Sequence, residues 1–327
     1  MRSTAFKLFL LAGAVSPFTL VQSRVVKRDT PVPVEGNPYD GYTVYLSPPY
    51  ANKVDAAVVN ITDPGLQAKA LEVKEVPTID NDGEAKYKGY IDTIAASIKK
   101  YPDLRIIAII EPDSLPNLVT NLDVPKCQTA EPVYKTLIPY ALEQLNTAGV
   151  YMYLDAGHAG WLGWPDNLEP AAELYQQVWQ NAGSPEFVRG LSTNVANYNA
   201  FRAETPDPIA AGNPNYDESH YVEALAALLP PFPTNFIVDQ VGDIIARRCN
   251  IKGAGFGTRP TQETNSSLVD SIVWVKPGGE SDGTTNSSSP RFDTRCVSNA
   301  SFIPAPEAGE WFQDYFEALV VNSNPAF

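Results

Sequence analysis

The chain has few of the residues from which metal and thiol sites are built. Among its 327 residues there are two histidines, His158 and His220, and three cysteines, Cys127, Cys249 and Cys296. Two histidines exclude a centre with several histidine ligands and leave little from which to build a Ser-His-Asp triad. Three cysteines are too few for a cysteine-based zinc site, and their odd number predicts one disulfide and one unpaired thiol.

Basic residues are also scarce, since 24 Lys and Arg stand against 38 Asp and Glu and give a net charge of -14. A nucleic acid or an anionic membrane is bound through a positive surface, so neither partner is expected. The glycines at 253, 255 and 257 miss the spacing of a dinucleotide loop, and no G-x-S-x-G is present. The chemistry of the chain must therefore come mainly from carboxylates.

One long apolar run, residues 8–20, has basic residues before it and small residues after it. This arrangement predicts a secretory signal peptide over 1–23. The dibasic pair that ends residues 24–28 predicts a short propeptide, so that the mature chain begins at Asp29. A secreted, extracellular glycoprotein is expected, and four Asn-x-Ser/Thr sequons agree with it: Asn60, Asn265, Asn286 and Asn299.

Short apolar runs alternate with helical patterns along the rest of the chain. The predicted strands cover 105–110, 150–154, 191–195, 236–238 and 271–275. The predicted helices cover 84–101, 133–147, 171–181, 218–229 and 310–322. This order predicts a parallel sheet with helical crossovers in a single domain, with residues 277–290 as a long surface loop.

Polar side chains follow the predicted strands at the points where the strands end. They are Glu111 and Asp113, Asp155 and His158, Asn197, Asp239, and the segment 276–282. In barrels and open sheets this edge binds ligands, because the loops after parallel strands converge there. Asp and Asn are also common turn and cap residues, but five such positions together favour a site.

Carboxylates on these loops suit acid–base chemistry. Asp113 lies two residues after Glu111, and Pro112 favours extended backbone at Glu111, so both carboxylates are predicted on the same side. Burial at an apolar strand end raises the pKa of a carboxyl, which suits a general acid. Glycoside hydrolysis needs two carboxyls, and Asp155 and Asp282 come from other strands.

Two further segments offer ligand contacts. Trp161 and Trp164 follow Asp155 on one loop, where indoles stack on sugar rings or serve only as a packed lid over the core. Lys276 and Glu280 flank a Pro-Gly-Gly segment whose backbone can approach a ligand closely, or they form an ordinary surface ion pair.

Four blocks of sequence point to a known family. They are IEPDSL at 110–115, YLDAGHAGWLGW at 153–164, TNVANYN at 193–199 and VWVKPGGE at 273–280. Over residues 37–327 the chain resembles fungal glycoside hydrolase family 6, of the cellobiohydrolase II or endoglucanase type. The resemblance implies an α/β fold, a distorted and incomplete parallel β/α barrel (TIM-like), and hydrolysis of β-1,4-glucan with inversion. It also implies no metal or organic cofactor, a monomer, and one catalytic domain over 29–327 without a carbohydrate-binding module.

The resemblance also implies roles for individual residues. Asp113 matches the general acid, Asp282 the base candidate, and Asp155 a supporting carboxylate. The expected contacts to a β-glucan or cello-oligosaccharide are Tyr45, Ser47, His158, Trp161, Trp164, Asn197, Lys276 and Glu280.

The chain departs from the family pattern at two places. Between Asp80 and Asn81 about one strand and one helix are missing, and this segment normally carries a Tyr and an Arg-Asp-Cys group. Its Asp keeps the general acid protonated, and its Cys is the usual partner of the cysteine matching Cys127. The resemblance therefore implies a disulfide between Cys249 and Cys296 and an unpaired Cys127. A second gap follows Gln240, where a tunnel-forming loop is expected, and its loss predicts an open, endo-acting cleft.

Three hypotheses follow from these departures. The first is a secreted glucanase with Asp113 as its acid. The second is a catalytically impaired relative that binds glucan without hydrolysing it. The third is an incorrectly assembled gene model, because removing a barrel strand leaves a sheet edge unpaired.

Overall fold

The computed structural model describes residues 9–12, 81–206, 210–240, 249–275 and 278–326. The strands within them are β1 (Phe9–Ala12), β2 (Ile106–Ile110), β3 (Val150–Asp155), β4 (Val188–Thr193), β5 (Asn235–Asp239) and β6 (Val269–Val273). The helices are α1 (Asn81–Ile98), α2 (Ser114–Thr120), α3 (Pro125–Leu145), α4 (Ala159–Leu162), α5 (Pro165–Asn181), α6 (Glu218–Ala226) and α7 (Gln313–Val321), with a 3-10 turn at Thr294–Val297. Among these residues no helix is long and apolar enough to cross a membrane.

The five strands from β2 to β6 are parallel, and each pairs with its neighbour in chain order. They curl into an incomplete barrel, which confirms the predicted α/β architecture. Successive side chains of a strand point to opposite faces, so the five isoleucine and alanine residues of β2 divide between two apolar clusters. Ile106, Ala108 and Ile110 pack with the helices, whereas Ile107 and Ile109 pack with Tyr151 and Tyr153 on the other face.

The outer edge of β2 is occupied by β1, which lies within the predicted signal peptide. β1 runs antiparallel to β2, with Phe9 opposite Ile109 and Ala12 opposite Ile106. Because sheet order follows chain order from β2 onward, a parallel strand preceding α1 would take this same edge. The edge filled by β1 is therefore the place where the missing family strand would lie.

Two strands were predicted to begin later than they do, and one ion pair explains both errors. β4 begins at Val188 rather than 191, and β6 begins at Val269 rather than 271. Arg189 donates two hydrogen bonds of 2.8 Å to the buried Asp270, so two charged residues that resemble loop residues stand inside strands. Gly190 is required because a Cβ there would collide with the Asn235 carbonyl.

The helices agree with the predicted positions except for α2 to α5. The four-residue α4 was not predicted, and α5 begins at Pro165, six residues before the predicted start at 171. α3 begins at Pro125, eight residues before the predicted start at 133, and contains Pro132 and Pro139, whose presence argues against a helix. α2 was not predicted at all, because its seven residues include a proline, Pro116, and form under two helical turns.

Candidate active site

Three of the carboxylates predicted to gather at the carboxyl ends of the strands do lie there. Asp155 ends β3 and Asp239 ends β5, while Asp113 lies three residues beyond the end of β2. Asp239 accepts hydrogen bonds from the Ala196 backbone after β4, at 2.9 Å, and from the Val275 backbone after β6, at 3.2 Å. Loops from three neighbouring strands are thus tied together at one edge of the sheet.

A direct contact joins Asp113 to Asp155. The backbone N–H of Asp113 donates to Oδ2 of Asp155 at 2.9 Å, and the N–H of Gly157 donates to the same oxygen at 3.2 Å. Asp155 is 1% exposed, and its Oδ1 has no hydrogen-bond partner within the described part of the chain. Burial, followed by the charge of Asp113, raises the pKa of Asp155 well above its usual range. Asp155 therefore holds the backbone of Asp113 through one carboxylate oxygen, while its second oxygen is buried.

The backbone around Asp113 is left-handed at two positions. Glu111 has φ 57° and Asp113 has φ 66°, a region that non-glycine residues adopt rarely and mostly at functional sites. The prediction that Glu111 is extended and shares a side with Asp113 is therefore wrong. Glu111 is 3% exposed and turns into the core, whereas Asp113 is half-buried.

Glu111 is held by two hydroxyl groups. Its Oε1 accepts from Tyr87 on α1 at 2.8 Å, and its Oε2 accepts from Ser114 on α2 at 2.9 Å. Burial raises the pKa of Glu111 to about 7, although both hydroxyls act in the opposite direction. This carboxyl joins α1, the end of β2 and α2, and so anchors the left-handed segment from which Asp113 projects.

Asp282 lies in the loop after β6 and is held by a second polar cluster. Its Oδ2 accepts from the Tyr198 hydroxyl and from the Asn250 backbone, both at 2.9 Å. Its own N–H donates to Oδ1 of the buried Asn250 at 2.7 Å. The Tyr198 hydroxyl also bonds the Tyr315 hydroxyl at 2.9 Å. Asp282 is thus positioned by three other segments of the chain.

The predicted disulfide is confirmed and lies next to this cluster. Cys249 is bonded to Cys296, and Cys127 on α3 is a free, half-buried thiol. Asn250, which holds Asp282 through two hydrogen bonds, follows Cys249 directly.

Replacing Cys249 and Cys296 together with Ala is expected to lower the free energy of unfolding by about 4 kcal/mol. The bridge closes a loop over a sequence separation of 47 residues, and this length sets the entropy that is released in the unfolded chain. Urea unfolding of the variant checks the value. Cys127→Ala is the matched control, because its thiol closes no loop. A difference below about 1 kcal/mol between the two variants would contradict the prediction.

The two tryptophans that follow β3, Trp161 and Trp164, differ in their surroundings. Trp161 donates to the Thr120 hydroxyl at 2.8 Å, packs against the main apolar cluster and is half-buried. Trp164 donates to the Gly160 carbonyl at 3.1 Å and is half-buried without joining that cluster. The His158 ring lies 6.1 Å from the Trp161 ring, centroid to centroid.

Of the remaining predicted sugar contacts, two lie within the described residues and three lie outside them. Asn197 is half-buried, and its side-chain amide donates to the Val195 carbonyl at 3.0 Å. The backbone of Glu280 forms an isolated antiparallel β-bridge with that of Trp311. The other three, Tyr45, Ser47 and Lys276, lie outside the described residues.

Sequence reasoning missed Glu218, a buried carboxyl behind the site. Its Oε1 accepts from the Ala159 backbone at 2.9 Å and from the Asn199 side chain at 3.0 Å. Burial raises the pKa of Glu218 to about 7. A glutamate in the first turn of a helix usually is an exposed residue that interacts favourably with the helix dipole, so its position gave no sign of burial. The one signal in the sequence was its partner Asn199, a polar residue within the TNVANYN block.

Comparison with known proteins gives a consistent result. The family model described as glycosyl hydrolases family 6 matches residues 77–323. Exoglucanase 3 of Agaricus bisporus is 50% identical over 349 positions, which cover 89% of this chain and 80% of that protein.

Two solved structures have the same fold. The CcCel6A catalytic domain complexed with p-nitrophenyl β-D-cellotrioside has a TM-score of 0.78 and 47% identity, covering 89% of this chain and 99% of that chain. Cellobiohydrolase II (Cel6A) from Humicola insolens, in complex with glucose and cellotetraose, has a TM-score of 0.79 and 40% identity, covering 89% and 100%.

The alignment with the Agaricus protein also measures what this chain lacks. It spans 349 positions, whereas 89% of 327 residues is about 291, so about 58 positions hold a residue in the relative and none here. Gaps of this total size agree with the missing segments expected after Asp80 and after Gln240.

Proposed function

The chain belongs to glycosyl hydrolase family 6, and we propose from this premise that it hydrolyses β-1,4-glucosidic bonds of cellulose or a related β-glucan with inversion. The observation that carries the proposal is the 2.9 Å bond from the Asp113 backbone to the buried Asp155. It supports a carboxyl held at the mouth of an incomplete barrel, next to a second carboxyl, Asp155, whose pKa is raised by burial and by the charge of Asp113.

In the proposed reaction Asp113 is the general acid. Its proton passes to the glycosidic oxygen as the bond from that oxygen to the anomeric carbon breaks. A water molecule attacks the anomeric carbon from the opposite face and loses its proton to a base, for which Asp282 is the candidate. Asp155 supports Asp113 and touches neither the water nor the sugar in this scheme.

The proposed sugar contacts are the residues that follow the strand ends. The indoles of Trp161 and Trp164 offer apolar faces to sugar rings. His158, Asn197 and Glu280 offer polar contacts, and Tyr45, Ser47 and Lys276 complete the proposed set. The relative solved with glucose and cellotetraose supports a cello-oligosaccharide as the ligand.

The test is the anomer that forms first from a soluble cello-oligosaccharide. Inversion of a β-linked substrate releases the α-anomer, which proton NMR detects before mutarotation mixes the two forms. Early β-anomer would contradict inversion. If the protein melts cooperatively and binds the cello-oligosaccharide but releases no product, the hypothesis of a glucan-binding relative without hydrolytic activity would be favoured instead.

The protein is further proposed to be secreted as a monomer after removal of residues 1–28. N-terminal sequencing of protein recovered from the culture medium is expected to begin at Asp29. Loss of this segment removes β1 and leaves the outer edge of β2 without its present partner. A secreted chain that retains Phe9–Ala12 would contradict this prediction and would make β1 a permanent part of the sheet.

Attack within glucan chains is proposed because of the shortened loop after Gln240. We expect the viscosity of a soluble cellulose derivative to fall early, while few reducing ends have formed. Release of cellobiose alone, with viscosity unchanged, would indicate attack at chain ends and contradict the prediction.

A further inference from the structure

A chain of three polar side chains crosses the loops after β3 and β4. His158 precedes α4, Asn199 follows β4, and Glu218 lies at the start of α6. The amide nitrogen Nδ2 of Asn199 lies 3.0 Å from Oε1 of Glu218 and 3.2 Å from Nδ1 of His158. One amide group therefore touches both a buried carboxyl and the imidazole ring.

The contacts of Glu218 fix which way the Asn199 amide faces. Oε1 of Glu218 already accepts the Ala159 N–H at 2.9 Å, so this oxygen is an acceptor. Asn199 must therefore present its NH2 group to it rather than its oxygen. The other carboxyl oxygen, Oε2, has no hydrogen-bond partner within the described residues, and the hydroxyl of Thr193 near this carboxyl has none either. A proton on Glu218 would sit on Oε2, so the orientation of Asn199 holds in both states of the carboxyl.

This orientation sets the proton on the imidazole. The NH2 group has two hydrogens, of which one points to Glu218 and the other to Nδ1 of His158. Nδ1 must then be the acceptor, which leaves Nε2 to carry the proton in neutral imidazole. Gly160 leaves room for the contact, because a Cβ there would lie 3.3 Å from Nδ1 and 3.4 Å from the Asn199 amide nitrogen.

We propose that Asn199 and Glu218 are positioning residues that hold His158 as the neutral Nε2–H tautomer, so that its ring donates to an oxygen of the sugar. This inference rests on the proposed function, in which His158 contacts the substrate. The ring and glycosidic oxygens of a glucan accept hydrogen bonds only, whereas its hydroxyls both donate and accept. An imidazole N–H that is held as a donor therefore suits the ring and glycosidic oxygens. A hydroxyl, in contrast, could pair with the imidazole nitrogen whether that nitrogen donates or accepts.

The tautomer can be measured directly, because the full chain has two histidines. The experiment records ¹⁵N NMR spectra of the imidazoles of the secreted protein at mildly alkaline pH, with His220→Gln leaving His158 as the single imidazole. We expect a protonated Nε2 and an unprotonated Nδ1. A protonated Nδ1 in the wild-type protein overturns the inference, whatever the activity.

Two variants separate positioning from simple structural support. Asn199→Asp replaces the donor with acceptors, so Nδ1 is expected to gain a proton. Glu218→Gln keeps an acceptor for Ala159 and Asn199, so it is expected to retain the unprotonated Nδ1. If Asn199→Asp does not fold, Asn199→Ala serves, with loss of the single tautomer and about a tenfold lower kcat/KM, mainly through KM. An unchanged nitrogen spectrum in the folded Asn199 variant would overturn the proposal.

The results for tautomer and for turnover are independent. A protein that shows the Nε2–H tautomer and hydrolyses nothing retains the inference and loses the proposed function. A protein that hydrolyses cello-oligosaccharides with Nδ1 protonated retains the function and loses the inference.

Discussion

Asp113→Asn is expected to lower kcat for cello-oligosaccharide hydrolysis about a thousandfold, within the range that a general acid contributes. The amide cannot donate a proton to the leaving oxygen with the ease of a carboxyl. The backbone should remain as it is, because Asn tolerates the left-handed φ of 66° as well as Asp does, and the bond to Asp155 comes from the main chain. A cooperative melt close to that of the wild type checks that the fold is unchanged.

The choice of leaving group shows whether Asp113 acts as an acid. A nitrophenolate leaves without being protonated, so Asp113→Asn should lose far less activity on a p-nitrophenyl cello-oligosaccharide than on the unmodified sugar. Asp123→Asn is the matched control, since Asp123 is exposed just beyond α2. Equal losses on both substrates would indicate a positioning role for Asp113. No loss on either would mean that another group supplies the proton.

The alternation of strands and helices was predictable because the parallel strands are largely apolar and polar residues lie at or soon after their ends. Periodicity detects such apolar segments whether or not the tertiary partners are known. It fails at Arg189 and Asp270, where two charges stand inside strands because they neutralise each other across β4 and β6. No local pattern shows that partners 81 residues apart will meet.

The same limit applies to the site. The positions of Asp113 and Asp155 after their strands followed from the sequence, but their contact through the Asp113 backbone depends on a left-handed turn that Pro112 argues against. The turn is stabilised by Tyr87, which lies 24 residues before Glu111 on α1. Side chains that buttress a site from a distant helix carry no signature of their own, which is why Tyr87 and Glu218 were missed.

Two buried carboxyls, Glu111 and Glu218, are expected to make the protein less stable as the pH rises. Burial raises the pKa of each to about 7, from 4.5 for the exposed group. Between these two values the folded protein keeps a proton that the unfolded chain has lost, so the free energy of unfolding falls as the pH rises. The fall amounts to roughly 3 kcal/mol for each group and ends above pH ~7, where both states are ionised. The raised pKa of the buried Asp155 acts in the same direction.

Urea unfolding of the secreted protein at about pH 4.5 and about pH 8 is expected to show greater stability at the acidic value. Glu111→Gln should reduce this difference by roughly 3 kcal/mol. Its amide oxygen can still accept from Tyr87, and its NH2 group can donate to the Ser114 hydroxyl. Glu173→Gln on α5 is the matched control, because Glu173 is exposed and should leave the difference unchanged. A pH dependence that Glu111→Gln does not alter would mean that Glu111 is ionised in the folded protein. The carboxylate would then be stabilised by Tyr87 and Ser114 more strongly than its burial opposes.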